Sequence, residues 1–271
     1  MGRLAVLVVV ALGLAALLAA GGAWLIGEMR LNQKVAVPNE TFEVRTDIAS
    51  IQHGQHLAGA IALCSQCHAM NMAGKVVVDQ EWGRIVAPNL TRGGLGASLS
   101  DTDYVRAIRY GVAHSGHQLL IMPADDYNHM SDTDLASIVA YLRSVPPIQN
   151  TLPPSDVRAL GRLLFATGQL DLVPAAHIDR TASRSPSELP TPSLTPAYGG
   201  YLSELAGCAR CHKLGVPGGS LSENDFVQLM RTGRRPDGRI LDTSMPWPYY
   251  AQMSDLELRA IWAFFGSVPI R

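Results

Sequence analysis

Hydrophobic positions divide the chain into one long apolar run and a series of shorter amphipathic segments. The run extends from Leu4 to Ile26 and contains no charged residue. A helix needs about 20 such residues to cross the hydrocarbon core of a bilayer, so the run predicts a transmembrane helix within residues 1–29. A cleaved signal peptide is the alternative, because small residues follow one another at 21–23, although the apolar part of a signal peptide is usually shorter.

Beyond the run, the same set of landmarks occurs twice. In the first copy they are Ser100-x-x-Asp103, Gly111, Met122-Pro123, Met130-Ser131-Asp132 and Ser144-Val145-Pro146; in the second they are Ser222-x-x-Asp225, Gly233, Met245-Pro246, Met253-Ser254-Asp255 and Ser267-Val268-Pro269. The spacings agree to within one residue, a register that unrelated segments do not keep. The sequence therefore predicts a duplicated module, with domains at residues 42–150 and 155–271.

Each module is predicted to be all-α. Ser100 and Ser222 are each followed by an aspartate three positions later, which is typical of a helix N-cap. The glycine of each landmark set is predicted to end the helix. The last helix of each module begins at the Met-Ser-Asp triplet and ends at a proline. A further helix is predicted at the start of each module, around residues 53–63 and 198–206.

Two segments connect the modules. Apolar residues recur at helical spacing over residues 156–170, which indicates either the start of the second half or a strap between the halves. Residues 183–197 carry four prolines with several serines and threonines. Such a composition disfavours regular structure and predicts a linker.

The charge of the chain is balanced. It has 22 basic and 23 acidic residues, for a formal net charge of −1. Nucleic-acid binding needs a concentrated basic footprint, so the composition argues against a nucleic-acid partner.

All four cysteines of the chain lie in two Cys-x-x-Cys-His motifs. The residues concerned are Cys64, Cys67 and His68 in the first motif and Cys208, Cys211 and His212 in the second. This spacing is the attachment signature of c-type haem, in which the thiols bind the haem vinyl groups and the histidine ligates the iron. The sequence therefore predicts two covalently bound haem c groups.

Other uses of paired cysteines fit the sequence less well. A structural zinc site would place the two pairs about 15–20 residues apart, whereas Cys208 lies 141 positions after Cys67. A thioredoxin-like pair would accompany a βαβ pattern, which the sequence does not show. A disulfide in an oxidising compartment would leave both histidines unexplained.

The second iron ligand of each module must come from elsewhere. Met122 and Met245 occupy equivalent loop positions, and a thioether opposite histidine suits electron transfer. Core packing is the alternative for a methionine. The competing residues are His114, His117, His129 and Met130 in the first module and Met230 and Met253 in the second. Met130 and Met253 are predicted to be core residues.

Both modules resemble class I cytochrome c, and the whole chain is similar to membrane-bound bacterial dihaem cytochromes and to cytochrome c subunits of membrane dehydrogenase complexes. The stretches that carry the resemblance are Ala87-Pro88-Asn89-Leu90-Thr91, Arg109-Tyr110-Gly111, the two Met-Pro loops and Tyr141-Leu142-Arg143-Ser144-Val145-Pro146. The resemblance implies that Pro88 and Asn89 line the first haem. The second module departs from it, since His212 and Met245 are 33 residues apart against 54 in the first module, and its haem is expected to be more exposed.

These features predict an electron carrier rather than an enzyme. Covalent haem attachment takes place outside the cytoplasm, so the haem domains are expected on the periplasmic side of a single-pass inner-membrane protein. The expected partners are a dehydrogenase or quinol-oxidising complex and a terminal oxidase or soluble cytochrome. A dihaem redox enzyme such as a peroxidase is the alternative, but it would need one iron with an open coordination position.

Overall fold

A computed structural model describes residues 2–40, 43–179, 191–212 and 221–267 of the chain. Within these ranges the helices are α1 (Arg3–Leu31), α2 (Ile48–His56), α3 (Cys64–His68), α4 (Asp101–Tyr110), α5 (Ala124–Tyr127), α6 (Asp132–Ser144), α7 (Ala159–Ala166), α8 (Pro196–Leu205), α9 (Glu223–Thr232), α10 (Trp247–Tyr250) and α11 (Asp255–Ser267). The strands are β1 (Lys75–Gln80), β2 (Gly83–Ala87) and β3 (Asp156–Val157).

The helix order of the first module recurs in the second. Ser100 of α4 and Ser222 of α9 each accept a hydrogen bond from the aspartate N–H three residues on, and the carboxylate accepts one from the cap in return. Gly111 and Gly233 end these helices with φ of 60° and 68°, a left-handed conformation that glycine adopts without strain. The predicted beginnings and ends of these two helices are confirmed.

In each module the first and last helices cross at a glycine. A Cβ on Gly54 of α2 would lie 1.8 Å from the carbonyl oxygen of Ser137 in α6. A Cβ on Gly199 of α8 would likewise lie 1.8 Å from the carbonyl oxygen of Ala260 in α11. Because only glycine permits this backbone approach, these two positions set the crossing that closes each module.

The prediction of an all-α fold needs correction in the first module. Residues 75–87 form an antiparallel hairpin of β1 and β2, and β3 adds a third strand beside β2. The consecutive valines of β1 are β-branched residues, which favour extended backbone. The hairpin lies between His68 and Met122, so it accounts for part of the longer interval in this module, and the described chain remains mostly helical.

Residues 156–178, here called the strap, pack against the first module. β3 pairs with β2, and a buried cluster joins Leu172 and Val173 of the strap to Ile85 and Ala124. The predicted second domain begins at residue 155, with a strap between the halves as the alternative for this segment, whereas β3 and residues 172–178 contact the first module. Most of the predicted linker that follows, residues 183–190, lies outside the described residues.

The two modules share one apolar core, although the proline-rich connection suggested separate cores. Leu57 of the first module and Leu202 of the second belong to the same cluster of buried side chains. Polar contacts reinforce this interface: Asp134 accepts a hydrogen bond from the Tyr201 hydroxyl at 2.5 Å, and Nε2 of His56 lies 2.9 Å from the carboxylate of Glu257. A linker sequence does not report whether the domains that it joins will pack, because packing depends on the surfaces that they expose.

The predicted apolar helix is present as α1. It has a mean hydropathy of 2.8 over its most apolar window, none of which is buried. Among the described residues it is the one helix long and apolar enough to cross a membrane, by criteria that a signal sequence also meets.

Candidate functional site: two Cys-x-x-Cys-His motifs beside Met-Pro loops

The first motif forms the single helical turn α3, and its histidine is buried and oriented. Nδ1 of His68 lies 2.9 Å from the carbonyl oxygen of Pro88, and the residue is 9% exposed. Burial lowers the pKa of His68, against the opposing effect of the hydrogen bond, so the imidazole is neutral. A neutral imidazole held through Nδ1 leaves Nε2 for an iron, which is how metal-binding histidines are commonly oriented. The contact also places Pro88 beside the motif, as the resemblance implies.

The cysteines of this motif are uncharged thiols in an apolar setting. Burial raises the pKa of Cys64 to about 12 and raises that of Cys67 as well. All four cysteines of the chain are free of disulfide bonds. No cluster of three or more His, Cys, Asp or Glu side chains in the described ranges could hold a bare metal ion. The donor set fits a haem, which needs two thiols and one histidine from the motif.

Met122 lies in a loop that the strap supports. The residue before it, Ile121, has φ of 49°, a strained conformation for a β-branched side chain that costs about 1–3 kcal/mol. Its backbone N–H donates to the carbonyl of Leu172 in the strap at 2.9 Å. Met122 itself is half-buried and packs against the same apolar cluster as Cys64. The structure therefore brings the predicted ligand and the first motif to one core.

Two of the three competing histidines of the first module are exposed. The side chain of His114 is 77% exposed, with Nδ1 at 2.9 Å from Asp103. His117 forms a backbone bridge with Lys34, and His129 is exposed. Met130 is fully buried and Met253 is 2% exposed, which confirms the prediction that both are core residues.

The second motif begins with a 3-10 turn at Cys208–Arg210. It follows Gly207, whose φ of 65° matches the φ of 51° at Leu63 before the first motif. Burial raises the pKa of Cys208 to about 12, whereas Cys211 is exposed and His212 is half-buried. Met245 packs against the same cluster as Cys208. The chain that follows His212, residues 213–220, lies outside the described residues.

A repeated tyrosine ties each Met-Pro loop to its motif, and the sequence analysis missed it. Tyr127, five residues after Met122, donates its hydroxyl hydrogen bond to the carbonyl of Ala62, two residues before Cys64. Tyr250, five residues after Met245, donates at 2.6 Å to the carbonyl of Ala206, two residues before Cys208. Both hydroxyls are buried, and burial raises both tyrosine pKa values. Their identical offset in the two copies was the signal available in the sequence.

A repeated arginine closes the loop that carries each methionine. Arg109 is fully buried and donates to the carbonyl of Met130 at 2.7 Å and to Asp132 at 2.9 Å. Arg231, its counterpart, donates to the carbonyl of Met253 at 2.5 Å and to Asp255 at 2.7 Å. Each guanidinium therefore connects the end of the helix before the methionine loop to the beginning of the last helix of its module.

The two sites adjoin one another. Arg210, inside the second motif, forms ion pairs with Asp125 and Asp126 of α5, which follows Met122-Pro123. Burial raises the pKa of Asp126, although the guanidinium opposes the shift. The second motif thus contacts the helix that follows Met122, the predicted iron ligand of the first module.

Part of the first module matches a known family. Residues 49–142 match a family model described as cytochrome c oxidase, cbb3-type, subunit III. The match covers 94 of the 271 residues and lies within the first module.

Curated relatives cover both modules. The chain is 25% identical to the fructose dehydrogenase cytochrome subunit of Gluconobacter japonicus over 87% of its own length, and spans 56% of that relative. It is 28% identical to a diheme cytochrome c-type protein of Cereibacter sphaeroides, over 84% of the chain and 75% of the relative. A 54-residue stretch is 40% identical to the cytochrome c subunit of an alcohol dehydrogenase (quinone) of Gluconobacter oxydans, over 19% of the chain and 11% of the relative.

Proposed function

We propose that the chain is a membrane-anchored dihaem c-type cytochrome that transfers single electrons and has no catalytic site of its own. Residues 42–150 form the first haem domain, to which the strap adds its contacts, and the second haem domain lies within residues 155–271. In each domain two cysteines attach a haem and a His/Met pair ligates its iron. The ligand pairs are His68 with Met122 and His212 with Met245.

The observation that carries the proposal is the contact of Arg210 with Asp125 and Asp126. It brings the attachment motif of one module against the methionine loop of the other, as electron exchange between two cofactors requires. A bound haem supplies reversible one-electron chemistry. The chain's own contribution is to hold both sites at one interface and to bury His68 beside the carbonyl of Pro88. A methionine available in each loop supports filled coordination rather than a site for substrate.

α1 and the relatives support a proposal for the location and the partners. α1 would anchor the chain in the inner membrane with a single pass, and haem attachment requires the modules to lie in the periplasm. Two of the relatives are named as cytochrome subunits of dehydrogenases. A dehydrogenase or a quinol-oxidising complex is therefore the donor that we propose, with a terminal oxidase or a soluble cytochrome as acceptor.

The test is a haem count and a spin-state measurement on the purified full chain. We expect two haems per chain in the pyridine haemochrome assay and two low-spin ferric signals in electron paramagnetic resonance. Cys208→Ser should weaken the haem stain of the denatured band, and combination with Cys64→Ser should nearly abolish it. One haem per chain would contradict the dihaem proposal, and a resting high-spin haem would favour the alternative of a peroxidase-like enzyme.

The partner and the anchor are tested separately. The chain should stay with membranes through a high-salt wash, because an apolar helix is not held by electrostatics. Affinity purification from detergent-solubilised membranes should recover a dehydrogenase or quinol-oxidising subunit. A mature chain that begins near Ala23 and is released without detergent would contradict the anchor.

A further inference from the structure

α1 does not end in solvent but docks against α7 of the strap. A Cβ on Gly27 would lie 2.4 Å from the carbonyl oxygen of Arg162, so the two backbones touch there. The Arg162 side chain forms an ion pair with Glu28, and its guanidinium lies 6.0 Å from the ring centroid of Trp24. One turn of α1, residues 24–28, thus holds α7.

The position of this contact along α1 sets its depth. The uncharged run Leu4–Ile26 is about 34 Å long at roughly 1.5 Å per residue, slightly more than the hydrocarbon core of about 30 Å. The docking turn at residues 24–28 lies at the end of that run, where a tryptophan is typical of the membrane interface. If α1 crosses the bilayer, α7 lies at the level of the lipid headgroups.

The surface around this contact is apolar and uncovered. α7 carries one charged residue, Arg162, and the ion pair with Glu28 occupies it. The exposed apolar side chains around the contact, here called the collar, are Trp24 (40%), Leu25 (53%), Ile26 (46%), Met29 (67%) and Leu160 (45%). Apolar side chains grouped in this way mark a surface that contacts something other than water.

We propose that the collar rests in the boundary between headgroups and acyl chains, so that α7 is an interfacial helix beside the transmembrane one. The bilayer is the occupant that the structure favours, because Trp24, Leu25 and Ile26 of the collar are the end of the exposed apolar run of α1 itself. The inference rests on the anchor proposed above and extends it to the strap.

The contact between α1 and α7 connects the proposed membrane anchor to the first module. α7 follows β3, which is paired with β2, and Phe165 packs against the cluster that contains Ile85. The bilayer would therefore hold the first module at a defined orientation through two helices, where a single helix with a flexible tether would leave it free to rotate.

The experiment uses the full-length haem-loaded chain, purified and reconstituted in phosphatidylcholine vesicles. Single cysteines are introduced by Leu160→Cys, Leu14→Cys and Thr167→Cys, and their rates of reaction with a water-soluble maleimide are compared. Thr167 is exposed just beyond α7 and serves as the aqueous control. We expect Leu160→Cys to react at least about tenfold more slowly than Thr167→Cys, since it lies at the lipid boundary.

A second measurement identifies what covers the collar. A phospholipid with a photoreactive group near the carbonyl end of its acyl chain should crosslink to the α7 peptide, and Leu160→Glu should reduce that crosslink while those to α1 remain. Fast labelling at position 160, or slow labelling without a lipid crosslink, would overturn the inference. Fast labelling at position 14 would instead show that the proposed anchor fails, so the two failures are distinguishable.

Discussion

The guanidinium of Arg210 forms an ion pair with the carboxylate of Asp126, four residues beyond Met122. The arginine belongs to the second Cys-x-x-Cys-His motif and the aspartate to the helix behind the first Met-Pro loop. Their side chains are 35% and 18% exposed, so solvent screens the pair only in part. This contact makes the two proposed haem sites neighbours within a single interface.

Breaking this pair should loosen the interface between the modules. Arg210→Ala and Asp126→Ala should each lower the free energy of unfolding, and the double mutant should show a coupling of about 1–2 kcal/mol because the residues contact directly. Chemical denaturation of the four proteins measures it. Arg239→Ala, which removes an exposed arginine paired only with Asp237, is the matched control. Strictly additive losses at 210 and 126 would argue against a direct energetic contact.

Removing either loop methionine should open the corresponding iron. Met122→Ala and Met245→Ala should each produce a high-spin fraction and a lower reduction potential at one haem, with the other haem unchanged, because the thioether raises the potential. Absorption spectroscopy and redox titration detect both effects. Met130→Ala and Met253→Ala should instead cost about 2–5 kcal/mol of stability with unaltered spectra, since these side chains fill the core. A low-spin first haem with unchanged potential in Met122→Ala would assign the ligand to a histidine among His114, His117 and His129.

The hydroxyls of Tyr127 and Tyr250 should stabilise the position of the Met-Pro loops against the attachment motifs. Tyr127→Phe leaves the buried carbonyl of Ala62 without its hydroxyl donor, at a cost of about 1–3 kcal/mol. Tyr250→Phe should do the same for Ala206. In each case the perturbed absorption band should be that of the haem in the same module. An equal perturbation of both haems would point to general loosening of the core.

The glycines at the helix crossings should be sensitive to one added carbon. Gly54→Ala forces the Cβ onto the backbone of α6, which cannot yield as a flexible side chain would, and overpacking of this kind costs about 3 kcal/mol or more. Thermal unfolding of the haem-loaded chain measures the loss. Gly59→Ala is the control, because no atom lies within 4 Å of a Cβ built there. Similar melting temperatures for the two variants would contradict the close crossing.

Stability should fall as the pH rises above the ordinary range of histidine. The hydrogen bond to Asp134 raises the pKa of His53 above its usual 6.5, with Glu257 adding attraction and burial opposing. Because the pKa of His53 is higher in the folded chain than in the unfolded one, protonated His53 stabilises the fold fully below pH 6.5. This stabilisation is lost as the pH rises through the pKa of His53 in the folded chain. Melting temperatures of the wild-type chain should therefore decline over this window, and those of His53→Gln should decline less. Parallel pH profiles would exclude His53 as the titrating group.

The sequence by itself determined the repeat, the helix boundaries and the motifs. Ser100, Ser222, Gly111 and Gly233 act through hydrogen bonds and backbone conformation within a few residues, so their roles can be derived locally. The attachment motifs are equally local, because two thiols and a histidine must fit one turn of chain. The resemblance to class I cytochrome c was drawn from such stretches, and residues 49–142 match the model of cytochrome c oxidase, cbb3-type, subunit III.

Only the tertiary structure decided how these local parts meet. The strap folds back onto the first module, the modules share one core, and Arg210 reaches Asp126 across 84 positions of sequence. The hairpin at residues 75–87 was not predicted, because it lies in a stretch of the first module that has no counterpart in the second. Contacts of this kind depend on the shapes and charges of finished surfaces, which no short pattern records, whereas caps and motifs depend on neighbours in the chain.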